Sequence, residues 1–121
     1  MEGVMHRYED LKVYQKSLEY ARNVRECSQQ FPKHELYCLT SQFRRAADSI
    51  VLNIVEGAGN YSDREFRRFL TYAIRSGFEC KGCIDLAIIN GFIKDSESQK
   101  LKNEVGEIIA MLDGLYKHLH D

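Results

Sequence analysis

The sequence predicts an all-α fold: an antiparallel up-down-up-down four-helix bundle forming a single domain over residues 1–121. Three observations lead there. Apolar residues recur at steps of three and four through four long segments, the period of a helix with one buried side and not of a strand. The single proline is Pro32, and the gaps between segments are short, so little interrupts the periodicity. Four amphipathic helices of similar length with short connections pack as antiparallel neighbours. At 121 residues the chain can build one core, yet it is small enough that partner subunits often complete the burial.

Residues 1–7 read as a lead-in, followed by a first helix over about 8–30. Leu11, Tyr14, Leu18, Ala21, Val24 and Ser28 form its stripe, and Phe31-Pro32 stops it, because the residue before a proline is pushed out of the α region. The second helix, about 36–58, carries Leu36, Leu39, Phe43, Ala46, Ile50, Asn53 and Gly57 on one stripe. Ala47, Val51, Ile54 and Ala58 widen that stripe, so the helix touches at least two neighbours. Gly57-Ala58-Gly59-Asn60 ends it with residues that tolerate left-handed backbone. Ser62 with Glu65 spells a capping box that opens a third helix over about 62–90. Its stripe is Phe66, Phe69, Ala73, Ser76, Cys80, Cys83 and Ala87, with a run of small residues (Ala73, Ser76, Gly77, Cys80, Gly82) suited to close backbone approach. Gly91 closes that helix, and Asp95 or Ser96 caps a fourth over about 96–119, striped by Leu101, Val105, Ile108, Leu112, Leu115 and Leu119.

Composition narrows the function classes. Seventeen Lys and Arg against eighteen Asp and Glu give a net charge of −1, which offers no global electrostatic case for nucleic acid or an anionic membrane. Any nucleic-acid contact must be local. No run of about 18 apolar residues and no basic-then-apolar leader is present, so the expectation is a cytoplasmic protein with no membrane segment. Cys27, Cys38, Cys80 and Cys83 read as reduced and mostly buried thiols. Cys80-Lys-Gly-Cys83 lacks the strand context of a redox motif and the second pair of a zinc site, and both cysteines coincide with the core stripe. A di-iron bundle needs Glu-x-x-His pairs. None occurs, and His6, His34, His118 and His120 sit near loops and ends, so no metal and no cofactor is expected.

No phosphate loop, nucleophile elbow or triad spacing is visible, and no catalytic residue is assigned. Asn53 and Glu56 are polar residues in or beside the apolar side of the second helix. Burying them without partners costs roughly 1–3 kcal/mol each, so a structural polar network is the plainer reading, satisfied by backbone or by Arg44 or Arg45. A site for a ligand or reaction at Glu56, Asn53 and the arginines is the alternative. Between Phe43 and Ser76 every basic residue is an arginine: Arg44, Arg45, Arg64, Arg67, Arg68 and Arg75. The planar guanidinium suits phosphate or carboxylate, and three of the six lie in the first turns of the third helix, where the dipole disfavours cations. Asp48 is expected to pair with Arg44 or Arg45. Solvated or interfacial ion pairs are the bland reading; phosphate contact, with Tyr61 and Tyr72 stacking bases, is the sharp one.

The ordered run Tyr8-Glu-Asp-Leu-Lys-Val-Tyr-Gln-Lys16, Phe31-Pro32, Leu39-Thr-Ser-Gln-Phe-Arg-Arg-Ala-Ala47, Ser49-Ile50, Asn53-Ile-Val-Glu-Gly57, Glu65-Phe-x-x-Phe-Leu70, Ser76 with Glu79, and Gly91-Phe-Ile93 resembles a bacterial family. These are the four-helix bundle proteins encoded in intervening sequences of 23S ribosomal RNA genes, often labelled S23 ribosomal protein. The resemblance implies a four-helix bundle that assembles as a homopentamer. It extends to the accessory variability determinant proteins of diversity-generating retroelements, which bind nucleic acid and a reverse transcriptase. The partners implied are thus other copies of the chain, ribosomal or other RNA or DNA, and a nucleic-acid enzyme. Gln42, Arg44, Arg45, Asn53, Glu56 and Gly57 match the central motif, and Gln42, Asn53 and Glu56 make up the expected network. Val51 stands where the family usually has proline, Arg75 and Gly77 replace a more usual Gly and Leu, and Cys80-Lys-Gly-Cys83 replaces a leucine-rich stretch.

Overall fold

A computed structural model describes residues 7–119; His6, His120 and most of the expected lead-in lie outside this range. Four helices form the predicted bundle: α1 (Lys12–Ser28), α2 (Ser41–Ala58), α3 (Asp63–Ile89) and α4 (Asp95–His118). Each packs on the next in sequence, most extensively α2 on α3, and α1 meets α4 to close the bundle. Among the described residues no helix is long and apolar enough to cross a membrane.

The helix ends show where local chemistry sets the boundaries. Tyr8–Asp10 forms a 3-10 turn, so α1 begins only at Lys12. Leu36–Thr40 forms a π-type turn with Cys38 at φ −121° and ψ −108°, and the Glu35 carboxylate accepts from the Leu39 amide, so regular α2 starts five residues later than the periodicity suggested. At Ser62 the predicted cap is present: its Oγ accepts from the Glu65 amide at 3.3 Å. The reciprocal half is not, because the Glu65 carboxylate is engaged with Arg68. Gly91, at φ 72°, closes α3. At the start of α4 neither Asp95 nor Ser96 caps; Lys94 occupies the cap position without a side-chain bond, while the Ser98 hydroxyl donates to the Asp95 carbonyl.

The core is continuous. Tyr20, Val24, Phe43, Ile50, Ile54, Phe66, Leu70, Ile84, Val105, Ile108 and Leu112 are essentially fully buried within it. Two glycines permit the closest approaches. A Cβ at Gly57 would lie 2.8 Å from both Phe66 Cδ1 and Phe69 Cβ, and one at Gly77 would lie 2.7 Å from Ile109 Cγ1. Gly57 therefore serves packing between α2 and α3; the backbone at Gly59, at φ −76°, ends α2 without a left-handed residue. Gly82, expected to serve close packing, is exposed with open space around it.

Helix α1 departs most from its predicted stripe; Leu36, expected on the stripe of the second helix, is also exposed, in the turn before α2. Val13, Ser17, Tyr20, Ala21, Val24, Cys27 and Ser28 face the core, and Leu18 faces out. Ser17 disguised this phase: left off the expected stripe as polar, it is buried and donates to the Val13 carbonyl at 2.7 Å, while Ser28, on the expected stripe, is buried and accepts from Arg44.

Candidate nucleic-acid interface

Two polar clusters were expected on α2 and α3. The first forms around different partners. Asn53, half-buried, donates from Nδ2 to the Ser49 carbonyl at 2.8 Å and to Ser49 Oγ at 3.0 Å. The Ser76 hydroxyl lies 2.9 Å from Ser49 Oγ and 3.1 Å from the Tyr72 carbonyl, so Asn53, Ser49 and Ser76 tie α2 to α3 through side chains already satisfied. Gln42 is exposed and makes only a long 3.5 Å contact with Glu79 on α3. Glu56 is also exposed; its backbone carbonyl, not its carboxylate, accepts from Asn60. The buried-face reading of Glu56 is thereby corrected: six residues beyond Ile50, it is rotated about 120° from the core direction at 100° per residue. No desolvation cost needs offsetting there, and Glu56 and Asn53 do not converge on a common site.

Ser49, Ser76 and the Tyr72 carbonyl are the participants that sequence reasoning missed. A signal existed: Ser49 and Asn53 stand four apart on one helix, the spacing at which an Asn reaches back to a carbonyl. Ser76 was noted for being small, and its hydroxyl was overlooked.

The six arginines divide three ways. Arg44 turns toward α1, donating from Nε to Ser28 Oγ at 2.8 Å, and Asp48 pairs with Arg25 of α1 instead of Arg44 or Arg45. That Arg25–Asp48 pair is bidentate, at 2.7 and 2.8 Å. Arg67 lies toward α4, its guanidinium 4.3 Å over the Tyr116 ring. Arg45, Arg64, Arg68 and Arg75 are exposed. Arg45 lines an open polar cleft of about 530 Å³ with Tyr37, Ser41, Gln42, Ser49 and Glu79. Arg64, Arg68 and Arg75 share the outer side of α3, spaced four and seven residues apart over roughly 17 Å of helix.

Tyr72 organises this outer strip. Arg68 donates to the Tyr72 hydroxyl at 2.9 Å and to Glu65 Oε1 at 2.7 and 3.1 Å. Its guanidinium carbon lies 4.9 Å from the Phe69 centroid and 5.6 Å from that of Tyr72, and the Arg75 guanidinium lies 5.8 Å from Tyr72 on the same side chain. The hydrogen bond that Arg68 donates to Glu65, then the one it donates to Tyr72, pushes its pKa further up and keeps it charged. Tyr61, at the turn before α3, is exposed. The strip can offer cations held over aromatic rings, and Glu65 neutralises part of its charge.

Cys80 and Cys83 are buried free thiols, as is Cys27, whereas Cys38 is exposed. Burial lifts Cys83 to about 11 and Cys27 to about 11, and pushes Cys80 further up, so these sulfurs stay protonated and inert at neutral pH. Among the described residues no group of three or more His, Cys, Asp or Glu side chains is placed to hold a metal.

A family model described as 23S rRNA-intervening sequence protein matches residues 9–114, which covers all four helices but the last turn of α4. The chain belongs to this family. A crystal structure of a protein with unknown function from the S23 ribosomal protein family of Bacteroides thetaiotaomicron is similar, with a TM-score of 0.81 and 24% sequence identity over 87% of this chain and 95% of that one. At that identity the likeness concerns the fold, which the family member described here shares. No curated protein matches the sequence. Neither the family nor the structural neighbour indicates an enzyme.

Proposed function

We propose that this family member is a non-enzymatic, self-assembling helical-bundle protein of the cytoplasm that acts as an RNA- or ribosome-associated adaptor, with the homopentamer as its working form. The observation that carries the RNA part is the outer strip of α3, where Arg64, Arg68 and Arg75 stand exposed and the last two lie beside the Tyr72 ring. Arginine suits this task because its planar donors pair with phosphate while its face stacks on bases. The family's association with 23S rRNA intervening sequences supports RNA as the first ligand to try. Net charge −1 requires the contact to be short and local, so binding is expected to be weak and salt-sensitive.

The test is size-exclusion chromatography with light scattering, with and without ribosomal RNA fragments, followed by binding titrations across salt. The expected result is a particle of about five subunits that shifts with RNA and loses the shift as salt rises. Changing Arg68→Glu and Arg75→Glu together should abolish retention or reduce the slope of log K against log salt by roughly 1 to 2. An unchanged affinity and slope would refute the phosphate contact. A monomeric wild type would refute the assembly.

A further inference from the structure

The polar cleft where α2 meets α3 holds two opposite charges that do not pair. Arg45 on α2 and Glu79 on α3 both line it and both are exposed. Among the described residues neither forms an ion pair, with the other or with a third group, and Glu79 receives only the long contact from Gln42 at 3.5 Å. The neighbouring charges on α2 are engaged elsewhere, Arg44 with Ser28 and Asp48 with Arg25. The floor of the cleft is fixed, because the Ser49 hydroxyl is held by Asn53 and Ser76. At the rim stands Tyr37, 90% exposed, on the Leu36–Thr40 turn that the Glu35 carboxylate anchors through the Leu39 amide. At about 530 Å³ the cleft lies within the range, about 300–1,000 Å³, that takes small ligands. A bare phosphate would be repelled by the carboxylate, and a bare cation by the guanidinium. The cleft suits a neutral group that presents donors and acceptors side by side.

We infer that this cleft takes an unstacked guanine base. Guanine offers two adjacent donors, the N1–H and the N2 amino group, to the two oxygens of one carboxylate, while its O6 and N7 accept from the fork of an arginine. Glu79 supplies the carboxylate, Arg45 the fork, and Tyr37 the ring on which the base stacks. Adenine and cytosine each offer a carboxylate one amino group, and uracil one ring N–H flanked by oxygens that the carboxylate repels. The separation of Arg45 from Glu79 belongs to the fit, since a direct ion pair would close the space that the base occupies. This inference rests on the RNA reading above and adds the base that is read. The cleft adjoins the α3 strip, because Ser76 on its floor is the neighbour of Arg75 and bonds the Tyr72 carbonyl.

Nuclear magnetic resonance of the Arg45 side chain judges the site without RNA. Guanosine monophosphate and adenosine monophosphate carry the same sugar and phosphate, so a contact to phosphate alone moves the Arg45 Nε–H signal equally with both. The expected result is a shift with the guanine nucleotide only, the signal being assigned by its loss in Arg45→Lys. No shift with either nucleotide, or the same shift with both, overturns the site. Short single-stranded uridine oligomers with one central guanine, inosine or adenine, followed by fluorescence anisotropy, then test the base within RNA. Guanine should bind most tightly, then inosine, which lacks only the N2 amino group, then adenine, with guanine about 10-fold or more ahead of adenine. Glu79→Gln removes a negative charge and so strengthens any phosphate contact; the readout is therefore the ratio of guanine to adenine affinity, which should fall several-fold and which a merely structural Glu79 would leave alone. Should circular dichroism show that variant to be misfolded, Arg45→Lys, which keeps the charge and loses the fork, is read in the same way. Equal wild-type affinities for the three oligomers overturn the base reading and leave RNA binding standing. Failure of every oligomer to bind, with the guanine nucleotide still shifting Arg45, refutes the RNA reading instead and makes the cleft a site for free guanine nucleotide.

Discussion

Gly57 shows how one residue type can be legible while its role is not. The sequence places it near the end of α2, where glycine ordinarily ends helices, yet its backbone is helical and its missing side chain is what lets Phe66 and Phe69 pack against α2. The Phe69 contact is to a Cβ, which cannot swing aside. Gly57→Ala is therefore expected to destabilise by about 1–3 kcal/mol through overpacking. Gly114→Ala, at a helical position with nothing within 4 Å, should stabilise by up to about 1 kcal/mol through helix propensity. Thermal melts of the two variants that moved in the same direction would refute this distinction. Glu56 makes the complementary point: proximity to an apolar run in the sequence suggested burial, but its angular position makes it an exposed carboxylate.

At the scale of the element, boundaries written in short-range chemistry were the most readable. Ser62 caps α3 as its spacing from Glu65 implied, because the bond from the Glu65 amide spans only one turn. Ser62→Ala should cost about 1 kcal/mol, and Ser62→Asp should retain most of the stability; urea midpoints of the two variants that coincide would contradict a capping role. Other ends were harder to read. Asp95 is the first residue of α4 and not its cap, and the π-type turn at Leu36–Thr40 carries apolar residues whose spacing looked helical. The phase of α1 was also missed, since Leu18 is as apolar as any core residue and Ser17 is polar. Only packing against α2 and α4 shows that the hydroxyl is inside, bonded to Val13, and the leucine outside.

For the whole molecule, the protonated core predicts a response to alkali. Burial raises Cys27 and Cys83 from the ordinary thiol value of 9.0 to about 11. Cys80 and the Tyr20 hydroxyl are likewise raised, burial being the main cause. The unfolded chain loses thiol protons above pH 9 while the folded chain retains them, so unfolding releases protons and stability falls as pH climbs from 9 toward 11. Below 9 this contribution is constant. Melting temperatures should decline across that window and decline less in Cys27→Ala, measured against its own value at neutral pH; equal declines would count against the thiol as a source. The amino-acid sequence by itself determined that four helices form, roughly where they lie, and that the chain contains a conspicuous set of arginines, because 3.6-residue periodicity and turn chemistry are local properties. Tertiary structure alone decided that Asp48 pairs with Arg25, that Ser49 meets Ser76, and that the arginines divide among α1, α4 and solvent. Those partners lie on different helices, and which side chains meet depends on the rotation of each helix within the bundle, a quantity that only the packing of all four against one core can set.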